Sequence, residues 1–169
     1  MNVRDVGPHD RDWVSELLLE RWASTSIVSR GSSHDAAALP GFVAEVDGER
    51  AGLLIYEETE RQVEVVTLDA LRESIGVGTA LLGAVVGLAG QHRCKRVWLV
   101  TTNDNLHALR FYQRRGFRLV AVHAGAVDKA RALKPAIPTN GLNGIAIHDE
   151  IELACPMDQV FDNDRRQPA

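Results

Sequence analysis

The chain has 169 residues, 45% of them hydrophobic and 25% charged, and a formal net charge of -4. That is enough chain for one domain burying roughly two thirds of its unfolded surface. No apolar run reaches the length of a membrane span, and the acidic balance gives bulk electrostatics no reason to expect nucleic acid.

Residues 1–13 hold no apolar stretch of the kind that opens a secretory signal, so a cytoplasmic protein is expected. Residues 2–6 read as a first strand. Pro8 then stands near the start of a helix running to about Trp22, with Trp13, Leu17, Leu18 and Trp22 as its buried stripe. Residues 27–39 mix Ser, Gly, Arg30 and His34, which predicts a loop with a helical turn, closed by Pro40 and Gly41. Residues 42–46 alternate as a strand, Asp47-Gly48 is a hairpin signal, and residues 51–57 return. After another turn at 58–61, residues 63–68 are β-branched or apolar apart from Glu64 and Thr67, as a central strand covered on both faces would be.

Gly76 and Gly78 flank Val77 in the turn that follows. From there Val77, Ala80, Leu81, Ala84, Val85 and Leu88 recur with helical spacing and predict one face packed on the sheet. A polar connection at 91–96 leads to an apolar strand at 97–100, expected parallel to the 63–68 strand. Asp104 can cap a helix over 105–115, with Gly116 ending it in the left-handed conformation. A strand at 117–122, a helix ending near Lys134 ahead of Pro135 and Pro138, an exposed turn region at 140–148 and a last strand at 150–155 complete one expected domain over residues 1–158. Residues 159–169 read as a polar, frayed tail.

A strand feeding a helix through glycines aims unpaired backbone N–H groups and the positive end of the helix dipole at one point, which is an anion site. It is not a P-loop, because Gly78 is followed by Thr79, Ala80 and Leu81 rather than by Lys and a hydroxyl residue. Nor is it a dinucleotide fingerprint, because Leu81 stands where a third small residue belongs. Tight strand-to-helix packing alone would explain the glycines equally well. Cys94 and Cys155 have no metal-ligand spacing with each other or with the histidines, so no metal is expected and both read as core residues. The basic cluster Arg110, Arg114, Arg115 and Arg118 reads as a solvated helix face.

Downstream, Asn105, Ala108, Phe111-Tyr112 and Gly116-Phe117 form N-x-x-A-x-x-F-Y-x-x-x-G-F. In this order and at this distance from the glycine turn, the motif resembles the acyl-CoA-dependent N-acetyltransferase (GNAT) superfamily, well over residues 42–117 and loosely in the flanks. The resemblance implies an α/β fold in which a strongly twisted mixed sheet with flanking helices holds acetyl-CoA where two central parallel strands splay apart. It implies that the backbone of Leu68, Asp69 and Ala70 pairs with the pantetheine arm, and that Ser74, Ile75, Gly76, Val77, Gly78 and Thr79 form the pyrophosphate turn. It further implies that Asn105 contacts the cosubstrate and that Tyr112 stands next to the thioester sulfur. One departure is Glu73, preceded by Arg72, where the family usually carries Gln or Arg. A carboxylate facing a diphosphate would be repelled, so Glu73 is expected to turn to solvent.

Acetyl transfer needs a neutral amine, a held thioester, a stabilised oxyanion and a proton for the departing thiolate. Backbone N–H groups near Leu68 can polarise the carbonyl. Tyr112 is the candidate acid or hydrogen-bond donor. Between a phenol near pKa 10 and a thiol near 8.5, full proton transfer is uphill by roughly 2 kcal/mol, so donation to sulfur is most of its work. A buried acid such as Glu64 needs a reason to be there: a general base acting through water, or an ion pair with Arg61 or Arg96. Asp69 is a weaker candidate base, and Trp98 and His107 read as packing and surface. Arg30 and His34 could recognise a substrate carboxylate or simply be solvated. The expected reaction is direct transfer of an acetyl group from acetyl-CoA to a primary amine of a small molecule or protein, with a non-catalytic acyl-CoA sensor as the alternative. Whether the chain works as a monomer or as a homodimer, common in such families, stays open.

Overall fold

The computed structural model describes residues 1–72 and 74–158. Glu73 and the expected tail at 159–169 therefore lie outside the described residues. The chain forms two compact units, one built from Met1–Ile27, His34–Val97 and the segment from Pro156, the other from Val28–Ser33 and Trp98–Cys155.

The first unit contains β1 (Asn2–Asp5), a single 3-10 turn at Pro8–Asp10, and α1 (Arg11–Trp22). Its antiparallel strands β4 (Gly41–Val46), β5 (Glu49–Thr59) and β6 (Gln62–Ala70) follow β2 (Ser26–Ser29) and β3 (Ser32–Asp35). The order is β1-β4-β5-β6, each pair antiparallel. Two-residue turns close both long hairpins. Asp47 and Gly48 have φ of 55° and 81°, and Glu60 and Arg61 have 47° and 62°, the doubly left-handed geometry whose twist matches that of the flanking strands.

α1 buries Val14, Leu17 and Leu18 in a core shared with Ile27, Ala36, Val43, Leu53, Ile55 and Val66. Trp22, expected in that stripe, is 40% exposed, and Val14 takes its place because positions 14, 17 and 18 form the inward face. α2 (Val77–Gln91) lies on the sheet through Val77, Gly78, Leu81, Leu82, Val85 and Ala89. The face is rotated from the predicted one: Ala80, Ala84 and Leu88 sit half-buried at its flank. Close approach depends on Gly52 of β5, where a Cβ would lie 2.5 Å from Val77 Cγ1 and 2.9 Å from the Asp69 carbonyl oxygen. β7 (Arg96–Thr102) begins in this unit, and Arg96 Nε donates to Gln62 Oε1 at 2.6 Å. The two strands start side by side and run in the same direction, so the sheet is mixed, in the α/β class expected.

Residues 27–39 are not a loop. β2 and β3 form a two-stranded hairpin, with Arg30 and Gly31 at its tip at φ 49° and 76°. The polar composition hid strands whose alternate residues, Ile27, Ser29 and His34 among them, point inward.

The second unit carries the rest of β7, then α3 (Leu106–Gln113), β8 (Arg118–His123), α4 (Ala126–Leu133), a 3-10 turn at Leu142–Gly144 and β9 (Glu150–Pro156). The strand order is β7-β9-β8, with β8 and β9 antiparallel. Cys94 and Cys155 are buried, as their composition suggested. Among the described residues no helix is long and apolar enough to cross a membrane.

Candidate active site

In the first unit, Glu64 is only 7% exposed on β6. Its cross-strand neighbour on β5 is Glu57, and directly opposed residues share a face of the sheet. The hairpin brings His34, itself 8% exposed, between them. Nδ1 lies 2.9 Å from Glu57 Oε2, and Nε2 lies 3.7 Å from Glu64 Oε2. An ionised carboxylate only accepts, so the Glu57 contact places a hydrogen on Nδ1. Nε2 is buried with no hydrogen-bond partner among the described residues.

This changes two expectations. Arg61 donates to the Arg93 carbonyl from Nε (3.2 Å) and Nη2 (2.8 Å), so it is not the group facing Glu64, and His34 is a basic side chain beside that carboxylate that the expectation did not include. The solvated reading of His34 fails because strand pairing turns its ring inward. Glu57 was missed, although hairpin arithmetic could have found it. With Glu60 and Arg61 at the turn, residues 59 and 62 pair, then 58 and 63, then 57 and 64.

Further along β6, Leu68, Asp69 and Ala70 are half-buried and opposite Leu54, Leu53 and Gly52. Asp69 Oδ2 accepts from Trp22 Nε1 at 3.1 Å. Burial pushes the Asp69 carboxyl up, against the pull of that hydrogen bond and of Arg21. In the turn, Ser74, Ile75 and Gly76 are exposed, and Ser74 and Gly76 are left-handed at φ 65° and 89°. A Cβ at Gly76 would meet nothing within 4 Å, so conformation and open space, not packing, account for that glycine. Val77 and Gly78 open α2 with buried side-chain positions, and Thr79 is exposed. No acidic residue occupies the first turn of α2, so nothing anionic there competes for its dipole.

In the second unit, Asn105 is the N-cap of α3, its Oδ1 accepting from the Ala108 N–H at 3.0 Å. Asp104, expected as the cap, is buried elsewhere: it accepts from Thr102 Oγ1 at 2.5 Å and from the Leu142 N–H at 2.8 Å, pinning the 140–144 segment. Tyr112 is 8% exposed, edge-on to Phe111 with centroids 5.1 Å apart and tilted over Phe117 at 5.6 Å. Gly116 ends the helix region at φ 86°, as predicted. Arg115 stacks 3.7 Å from the Phe111 centroid, so the basic cluster is in part a cover for an aromatic and not simply a solvated face. Arg30 extends over Trp98 at 5.3 Å, with Nη1 3.5 Å from Glu152 Oε2, while its backbone N–H donates to Glu150 Oε2 at 3.1 Å. Glu150 and Glu152, both buried, were also missed. Glu64 thus belongs to the first unit and Tyr112 to the second, each held by its own neighbours.

A mixed sheet with a glycine turn opening the helix after β6, and the Asn105 to Phe117 motif behind it, defines an acyltransferase class of fold. A model of the acetyltransferase (GNAT) family matches residues 8–117. The chain belongs to that family. It is 39% identical over 139 residues to the uncharacterised protein YdhI of Bacillus subtilis strain 168, covering 82% of this chain and 87% of that one. An IAA acetyltransferase from Bacillus cereus ATCC 14579 has a similar structure, with TM-score 0.70, 21% identity and coverage of 92% and 98%. A Bacillus subtilis acetyltransferase solved in complex with CoA superposes with TM-score 0.65 at 18% identity, covering 92% and 99%. At those identities the two structures speak for the fold.

Proposed function

We propose that this protein transfers the acetyl group of acetyl-CoA directly to a primary amine of a small molecule or protein, with residues 1–158 acting as one domain in the cytoplasm. The observation that carries the reading is the turn at Gly76: left-handed, exposed, open above the missing Cβ, and leading into a helix with no acidic first turn. Such a turn suits a diphosphate held by backbone N–H groups. In this reading Ser74, Ile75, Gly76, Val77, Gly78 and Thr79 hold the diphosphate, and Leu68, Asp69 and Ala70 hold the pantetheine arm through their main chain. Asn105 supports the cosubstrate from the start of α3.

The neutral amine nitrogen attacks the thioester carbon, and Glu64 takes the proton that the nitrogen sheds as the new bond forms. The C–N bond forms, the C–S bond breaks, and Tyr112 donates to the departing sulfur. Glu64 and Tyr112 both being present supports the enzyme over a sensor, since a module that only binds acyl-CoA needs neither a base nor a donor to the thiolate. Arg30 stays a candidate for contact with the acceptor. Leu119, Val120 and Val122 expose 54%, 51% and 65% of their surface on β8, which supports pairing with a second copy.

The test is release of CoA thiol from acetyl-CoA over a panel of amines: polyamines, amino acids, aminoglycosides and peptide N-termini. Amine-dependent release is expected. CoA binding without release on any amine would favour the sensor.

A further inference from the structure

The first unit holds buried titratable groups that the reaction above does not use, Asp10, Tyr56, Cys94 and His34 among them, and His34 is the one beside Glu64. His34 lies on β3 with its two ring nitrogens facing two different carboxylates, Glu57 from β5 and Glu64 from β6. Its strand neighbour Asp35 is turned to solvent. Glu57, 36% exposed in its side chain, is the solvent end of the row, and Glu64, 9% exposed, is the buried end.

The 2.9 Å contact to Glu57 fixes the proton on Nδ1, as a carboxylate does for an imidazole in many sites. In the neutral Nδ1–H ring the remaining lone pair on Nε2 faces Glu64 Oε2 at 3.7 Å, beyond hydrogen-bond distance, and a positive centre arriving between the two atoms would be held by both. Either a proton or a metal ion would serve. The three side chains do offer one ligand atom each within 4.8 Å of one another. An ion on Nε2, however, would have Glu64 beside it while Glu57 stays engaged by Nδ1–H at the other edge of the ring. One imidazole and one carboxylate make a poor site for a cation that prefers three or four protein ligands. A proton needs only the two atoms already there.

We propose that His34 is the positioning residue that receives the catalytic proton from Glu64, with Glu57 holding the ring in the tautomer that can accept it. This rests on Glu64 being the base. Once Glu64 has taken a proton from the amine, its O–H bond breaks as an N–H bond forms at His34 Nε2. The carboxylate is restored, and the imidazolium is clamped between two carboxylates, its Nδ1–H still on Glu57. When the amide has left, the proton returns through Glu64 to water. No electron changes hands, and the row ends as it began. The arrangement explains why a histidine is buried against a cross-strand pair of glutamates that would otherwise repel each other.

The experiment is a nitrogen-15 NMR titration of the histidine rings in the wild-type protein, beside the pH profile of kcat/KM for wild type, His34→Asn and Glu57→Gln on the fastest amine of the panel. His34 is expected as the Nδ1–H tautomer at high pH and doubly protonated at low pH, with a midpoint that coincides with the acid limb of the rate profile. His34→Asn should lower the plateau about tenfold, less than the roughly 100-fold or more of a group that exchanges protons with the substrate directly. It should also move the acid limb to lower pH, since the limb then belongs to Glu64 alone, and leave KM for acetyl-CoA unchanged. Glu57→Gln, whose amide oxygen still accepts from Nδ1–H, should keep the tautomer.

An Nε2–H tautomer at every pH, or a His34→Asn profile scaled down without a change of shape, would overturn the proposal. So would stoichiometric binding of added Zn2+ with loss of the His34 signal, which would assign the cluster to an ion. The NMR result needs no turnover, so it stands or falls separately from the acetyltransferase reading. That reading is tested by CoA binding and thiol release.

Discussion

Asp10 and Glu64 are both buried carboxylates of the first unit, and their surroundings could hardly differ more. Asp10, with a fully buried side chain, accepts from Arg4 Nη1 at 2.6 Å, from Arg4 Nη2 at 3.1 Å, from Arg50 Nε at 3.1 Å and from the Gly7 N–H at 2.9 Å. The hydrogen bond from Arg4 outweighs burial and holds its carboxyl well below the usual carboxylate range. Since guanidinium does not lose its proton in a protein and the Asp10 carboxyl is held low, that knot keeps one charge state around neutral pH, and it ties β1, the first turn and β5 together. Glu64 instead has an imidazole beside it, with His34 Nε2 3.7 Å from its Oε2. The partner, more than the depth of burial, separates a carboxylate locked into the fold from one that the proposed reaction would use as its base.

The comparison makes its largest claim about stability at Asp10. Asp10→Ala should cost about 3 kcal/mol, the low end for breaking a buried ion pair, in urea unfolding, while kcat per folded molecule holds. Lost activity at unchanged stability would break the distinction. The same knot sets an acid dependence. Its folded pKa lies below the ordinary 3.8, so its contribution is complete above that pH and is lost as pH falls below it. Wild type should therefore lose more stability than Asp10→Ala between about pH 4 and pH 2.

Glu64→Gln should do the reverse, lowering kcat/KM about 100-fold with little change in unfolding midpoint. A second pair of sites sharpens the picture at the level of backbone. Gly52→Ala should cost about 2 kcal/mol through overpacking against Val77, measured by thermal unfolding. Gly76→Ala, with open space for its methyl, should cost only about 1 kcal/mol from its positive φ, and should weaken CoA binding where Gly52→Ala does not.

Much of the fold could be read from local chemistry. Asp47-Gly48 marked its hairpin, Gly76 and Gly116 stood at left-handed positions, and the β6, α2 and β7 segments lay where apolar periodicity placed them. What escaped was set by pairing between distant segments. A polar stretch such as 26–35 shows no apolar pattern strong enough to announce two strands. Nothing local to His34 says that it will sit between residues 57 and 64. Asp104 and Asn105 are equally good caps by type, and the choice was made by Thr102 and the Leu142 N–H, far off in the chain. At the site, Glu64 was legible because a lone carboxylate in an apolar run demands a reason, whereas its histidine partner came from another hairpin.

The most direct measurement is titration calorimetry of the folded wild-type protein with CoA at two temperatures, repeated on Gly76→Val. Saturable binding of one CoA per chain to wild type, strongly weakened in the variant while its fold persists, is what a diphosphate-holding main chain at 74–79 predicts. No heat at either temperature, or equal affinity in both proteins, would contradict it.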